Sequence, residues 1–148
     1  MATAYYADGY NSVVKPTING PGVIAVPFEF TMTAAFVIND TIVLTDLPKG
    51  ARVLGLFIDI TDVDTNTAFT CDVGDSGSAT RYVNASTVGR SAGFITCPDP
   101  DGVAAAIPHL YTADDQLIFK CSAAPTGAAI TTGTVKGYVL YQCNGNVF

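Results

Sequence analysis

The stretch ARVLGLFIDITDV, residues 51–63, constrains the fold more than any other part of the sequence. Strand alternation places Leu54, Leu56, Ile58 and Ile60 on one face and Val53, Gly55, Phe57 and Asp59 on the other, and both faces are largely apolar. Such a strand lies in the middle of a sandwich or beneath a neighbouring subunit. No segment keeps helical periodicity for three turns, whereas period-two and short continuous apolar runs recur along the chain. They predict strands near 23–33, 35–45, 51–63, 67–73, 80–84, 92–97, 107–112, 115–122 and 132–143, with room for a helical turn only at 86–92 and 102–107.

The punctuation between these runs is that of a strand-rich fold. "NGPG" (19–22), "DLPKGA" (46–51), "DVDTNT" (62–67), "CPDPDG" (97–102) and "SAAPTGAA" (122–129) are turn and loop sequences. At 148 residues the chain holds about one domain. The expected architecture is all-β: a single-domain antiparallel β-sandwich of jelly-roll type over 23–148, preceded by an extended N-terminal arm over 1–22. The arm lacks alternation and carries Tyr5, Tyr6 and Tyr10, typical anchor residues. Tyr5, Tyr6, Tyr10, Val13, Val14, Pro16 and Ile18 are therefore the candidate interface toward a neighbouring chain.

Charge excludes some function classes. Only 14% of residues are charged, with 13 Asp and Glu against 7 Lys and Arg, for a net charge of −6. The basic residues are scattered, and a phosphate-tracking groove needs them clustered, so no nucleic-acid partner is expected. The apolar runs are too short to cross a bilayer and the first residues do not form a secretory signal, so neither membrane nor export is expected. A charge-poor surface instead points to large contacts with other chains.

Gly74-Asp75-Ser76-Gly77 spells the tetrapeptide around the nucleophile of chymotrypsin-like proteases. A serine nucleophile requires a histidine base oriented by a carboxylate, and the lone histidine, His109, follows the serine instead of preceding it. The tetrapeptide reads as turn chemistry, and His109 as a strand-end histidine bonded to backbone. Asp62-Val63-Asp64 opens like an EF-hand loop, but position six is Thr67 and position twelve is Val73. A calcium site from Asp59, Asp62, Asp64, Asp72 and Asp75 is the weaker reading. Turn capping, with an ion pair from Asp72 or Asp75 to Arg81, is the stronger one. Cys71, Cys97, Cys121 and Cys143 contain no C-x-x-C, which favours reduced buried thiols and leaves one or two disulfides as the alternative. Asn39 and Asn84 head sequons that mean nothing without export. No catalytic residue, metal site or cofactor is expected; the chain is not read as an enzyme.

Residues 45–93 carry a further pattern: Leu47-Pro48-Lys49-Gly50-Ala51-Arg52-Val53, then Asp72-Val73-Gly74-Asp75, then Arg81-Tyr82-Val83. This stretch resembles the head decoration (cement) proteins of tailed bacteriophages, small structural proteins encoded beside the major capsid gene. The resemblance implies a β-sandwich on the outer surface of the virion, made in the host bacterial cytoplasm. It implies the major capsid protein as partner, self-association with a homotrimer favoured, and a role in bridging shell subunits at threefold or quasi-threefold points. The competing readings are another virion component (a tail, neck or fibre-tip module) and a carbohydrate-binding jelly roll.

Overall fold

The computed structural model describes residues 2–7, 22–32, 35–63, 68–97, 107–123, 130 and 132–143. The elements are β1 (Ala4–Tyr6), β2 (Gly22–Thr31), β3 (Thr41–Leu47), β4 (Ala51–Ile60), β5 (Thr70–Gly74), β6 (Val83–Ser86), β7 (Gly93–Cys97), β8 (His109–Leu110), β9 (Asp115–Ala123) and β10 (Thr134–Cys143). One sheet has the order β1-β3-β9-β5-β6 and the other β2-β10-β4-β7, with β8 also on β4. The fold is an all-β sandwich.

The pairings are nested. β2 runs antiparallel to β10, β3 to β9, β4 to β7 and β5 to β6. The chain is thus one long hairpin, its tip at residues 75–82, rolled so that β10 also meets β4 and β9 meets β5. That is jelly-roll topology. Rolling is favoured because each ribbon has one apolar face to bury. Ile42, Leu47, Ile58, Ile60, Phe119 and Val139 form part of a core from which solvent is excluded.

Several strands depart from simple alternation for identifiable reasons. In β4 the buried residues are Ala51, Val53, Leu56, Ile58 and Ile60, so the inward face changes phase at Leu54–Gly55. Opposite it, Leu140 pairs with Gly55 and Tyr141 with Val53, leaving Leu54 as the extra residue of a β-bulge. The expectation that Leu54 shares a face with Leu56 and Val53 with Phe57 is corrected accordingly: Val53 is in the core. The strand expected at 35–45 begins only at Thr41. Before it, Asn39 takes φ 70°, and the Asp40 carboxylate accepts from the Val37 N–H at 3.0 Å, closing a turn where a strand start was expected. Phe36 keeps a single bridge to Ile130. The helical turn expected near 86–92 is a 3-10 turn, Val88–Arg90; the one at 102–107 lies, but for Ile107, outside the described residues.

β1, not expected as a strand, lies parallel to β3 of the same chain, with Tyr5 beside Ile42. The buried Asp40 fixes both sides of this contact, because its carboxylate also accepts from the Thr3 N–H at 2.6 Å. Among the described residues no helix is long and apolar enough to cross a membrane.

Candidate interaction surface

The sequence pattern of residues 45–93 converges in space on Tyr111, between β8 and β9. Pro48 to Ala51 form a turn closed by Ala51 N–H to Pro48 O at 3.0 Å, with Gly50 at φ 84°, a backbone position suited to glycine. The Gly50 N–H donates to the Tyr111 carbonyl at 2.7 Å, and the Tyr111 N–H to Ala51 O at 2.9 Å. From the other sheet, Asp75 accepts from the Tyr111 hydroxyl at 2.7 Å, which in turn accepts from Tyr82 at 2.6 Å. Asp75 also accepts from the backbone N–H of Gly77 and Ser78 and from both Nε and Nη2 of Arg81. Of the two partners proposed for Arg81, the structure selects Asp75.

Burial alone would raise the Asp75 carboxyl, but the hydrogen bonds from Arg81, Tyr111 and Ser78 outweigh it and hold the group below the ordinary carboxylate range. Burial pushes both tyrosine hydroxyls far up. The Gly-Asp-Ser-Gly turn is therefore a lock between sheets. Ser76 supports it by donating its hydroxyl to Asp115 at 2.9 Å. Gly74 is required by close approach: a Cβ there would lie 2.0 Å from Ser78 O.

His109 packs edge-on against Tyr111 with ring centroids 4.8 Å apart, at a depression of about 270 Å³ that Arg81 and Asp115 also line. Burial, then the charge of Arg81, lowers its pKa. Of the aspartates considered for calcium, Asp59, Asp72 and Asp75 are otherwise engaged, Asp75 as described above. Asp72 accepts from Ala85 N–H at 2.7 Å and Ser122 Oγ at 3.1 Å, and Asp59 pairs with Lys136 at 3.5 Å. Asp64 lies outside the described residues. No group of three His, Cys, Asp or Glu among the described residues is placed to hold a metal. All four cysteines are free, with Cys71, Cys97 and Cys121 buried. Burial pushes the Cys121 thiol up to about 12 and Cys71 higher still.

The surface that sequence reasoning missed is the outer face of the β2-β10-β4-β7 sheet. Phe94 on β7, Phe57 on β4 and Tyr138 on β10 stand side by side across three strands. Their ring centroids are 5.2 Å apart for Phe57–Phe94 and 5.5 Å for the stacked Phe57–Tyr138 pair. Pro27 on β2 extends the row in register with Tyr138. Phe94 is 63% exposed and Tyr138 41%. A hollow of about 340 Å³ lies beside the row, bordered by Glu29, Asp59 and Lys136. The signal was present in the outward alternation of β4, where Phe57 sits opposite a buried face.

Of the residues expected at an interface, Tyr5 and Tyr6 fall within the described chain. The Tyr5 ring packs on Phe30 and Phe36 at 5.8 and 5.7 Å, and its hydroxyl donates to Ala35 O at 2.8 Å. Tyr6 is 52% exposed. Tyr10, Val13, Val14, Pro16 and Ile18 lie outside the described residues.

No family model matches the chain, and no curated protein matches it. Solved structures do. A chain from the capsid of Ralstonia phage GP4 superposes with a TM-score of 0.75 at 24% identity, covering 97% of this chain and 99% of that one. A chain from the capsid asymmetric unit of cyanophage Pam1 gives a TM-score of 0.64 at 27% identity, over 88% and 91%. A chain from the acid-stable capsid of Helicobacter pylori bacteriophage KHP30 gives 0.52 at 15%, over 86% and 96%. The structural neighbours of this jelly roll are chains of phage capsids.

Proposed function

We propose that this chain is a structural virion protein that decorates and stabilises the outer surface of a tailed-phage capsid by bridging shell subunits. The observation that carries the reading is the 27% identity to the Pam1 capsid chain over 88% of this one, which supports a structural, capsid-related role. The residues agree with it. The features that looked catalytic are hydrogen-bonded into a turn, while apolar rings stand on the surface. A protein that binds only the assembled shell stabilises it by mass action, and repetition over the shell multiplies modest contacts into avidity. The partners are the major capsid protein and further copies of this chain, a homotrimer being favoured by a threefold site. The N-terminal segment is the contact, with the exposed Tyr6 and, further along the sequence, Tyr10, Val13, Val14, Pro16 and Ile18 as its residues.

Quantitative mass spectrometry of purified particles tests this through the copy number of the chain relative to the major shell protein. A ratio near or somewhat below one supports decoration. A ratio lower by orders of magnitude moves the chain to the tail, neck or fibre, and absence from particles removes the virion role.

A further inference from the structure

The outer face of the β2-β10-β4-β7 sheet is an apolar surface on a chain that otherwise repels its own kind. Its centre is the row Pro27, Tyr138, Phe57 and Phe94. Its charges are Glu29 and Asp59 against Lys136 and Arg52, two of each sign. The chain as a whole carries −6, leaving five Lys and Arg against eleven Asp and Glu elsewhere. Two copies that approach by any other average surface therefore meet like charge; by this face they do not. The charges on the face are also ordered. Lys136 lies in register between Glu29 and Asp59, so acid, base and acid alternate across three strands, beside the aromatic row. A second copy displaced by one strand sets its lysine against these carboxylates while the rings meet rings.

From this charge pattern and the exposed rings, we propose that the outer face of the β2-β10-β4-β7 sheet is the surface by which copies of this chain associate with one another. The size is adequate. Four strands about 4.8 Å apart and up to ten residues long give about 600 Å² of flat area per copy, or about 1,200 Å² for a pair, at the lower edge of stable specific interfaces. Phe57, Phe94 and Tyr138 supply aromatic anchors at the centre and the ionic row a polar rim. The inference names the surface for the self-association in the proposed function and does not depend on binding to a shell.

Sedimentation velocity on the purified full chain, from about 1 to 100 μM, spans the range in which a micromolar contact forms and dissociates. The wild-type chain is expected to show the mass of an oligomer that dissociates on dilution. Phe94→Asp and Tyr138→Lys are each expected to raise the dissociation midpoint at least tenfold. Both side chains stand outward, so an unchanged thermal midpoint checks that the variants fold. Ile38→Asp, at an exposed site in the turn before β3, is expected to leave association unchanged. A one-chain mass throughout overturns the proposal, and so does equal loss of association in Ile38→Asp. Co-sedimentation with undecorated shells separates the two readings. Oligomers that ignore shells remove the decoration reading and keep this one; one-chain protein that binds shells does the reverse.

Discussion

At the scale of single residues, the lock between the sheets rests on Asp75. It gathers a tyrosine hydroxyl, an arginine and two backbone N–H groups from both sheets, and it is 3% exposed. Asp75→Ala leaves these donors without their acceptor, and is expected to cost about 3 kcal/mol in urea unfolding at neutral pH. Its folded pKa is depressed, so the unfolded chain binds the proton more readily. The stabilisation it supplies is therefore fully present above the unfolded value of about 3.9 and is lost as pH falls below that toward the folded value. Asp75→Asn is expected to be less stable than wild type at pH 7, with a smaller further loss between about pH 5 and 2. Its neighbour Gly74 tolerates no side chain, since the added Cβ meets Ser78 O, and Gly74→Ala is expected to lose at least about 3 kcal/mol by the same measurement. The sequence identified this tetrapeptide as turn chemistry because the missing upstream histidine is a local fact. Its role in joining the sheets was not legible, because Tyr111 lies 36 residues away from Asp75.

At the scale of elements, strands read well where burial on one face is uninterrupted. β2, β7, β9 and β10 fall within about two residues of the runs that alternation picks out, as expected of half-buried strands. β4 was located correctly, but Val53 and Leu54 were assigned to the wrong faces relative to residues 56–60, because a bulge depends on the partner strand and leaves no mark in local periodicity. β1 was missed for a related reason. It is three residues long and held by Asp40 and β3, contacts no window over residues 2–7 contains. The cysteines make the element-level reading testable. Cys71 and Cys121 face one another across β5 and β9, and Cys97 is buried in β7, whereas Cys143 is half-buried at the end of β10. Native protein titrated with a thiol reagent is expected to react first at Cys143, slowly at neutral pH because burial raises its pKa. The other three are expected to react only on unfolding. Prompt reaction at Cys71 or Cys121 would mean that the β5–β9 pair opens well below global unfolding.

At the scale of the molecule, the aromatic row and Tyr6 lie on different sheets, which separates two tasks. The aromatic row belongs to the β2-β10-β4-β7 sheet and Tyr6 to β1, at the edge of the other. If copies join through the first and grip a shell through the second, each oligomer presents several N-terminal segments at once, and its affinity for a shell exceeds that of one chain by avidity. The two adjacent tyrosines of β1 then behave differently. Tyr5 turns its ring onto Phe30 and Phe36, so Tyr5→Ala is expected to lower thermal stability, by about 2 kcal/mol for a half-buried aromatic. Tyr6 is half exposed, so Tyr6→Ser is expected to cost less stability than Tyr5→Ala and to leave solution mass unchanged while weakening co-sedimentation with shells at least tenfold. Phe94→Asp is expected to weaken shell binding as well, by about 10²-fold or more, through loss of multivalency. Joining Phe94→Asp chains through a fused trimeric coiled coil is expected to restore that loss, whereas the same fusion is expected to leave the Tyr6→Ser deficit relative to a wild-type fusion in place. Restoration in both would show that Tyr6 acts through oligomerisation, and restoration in neither would show that the sheet face itself touches the shell.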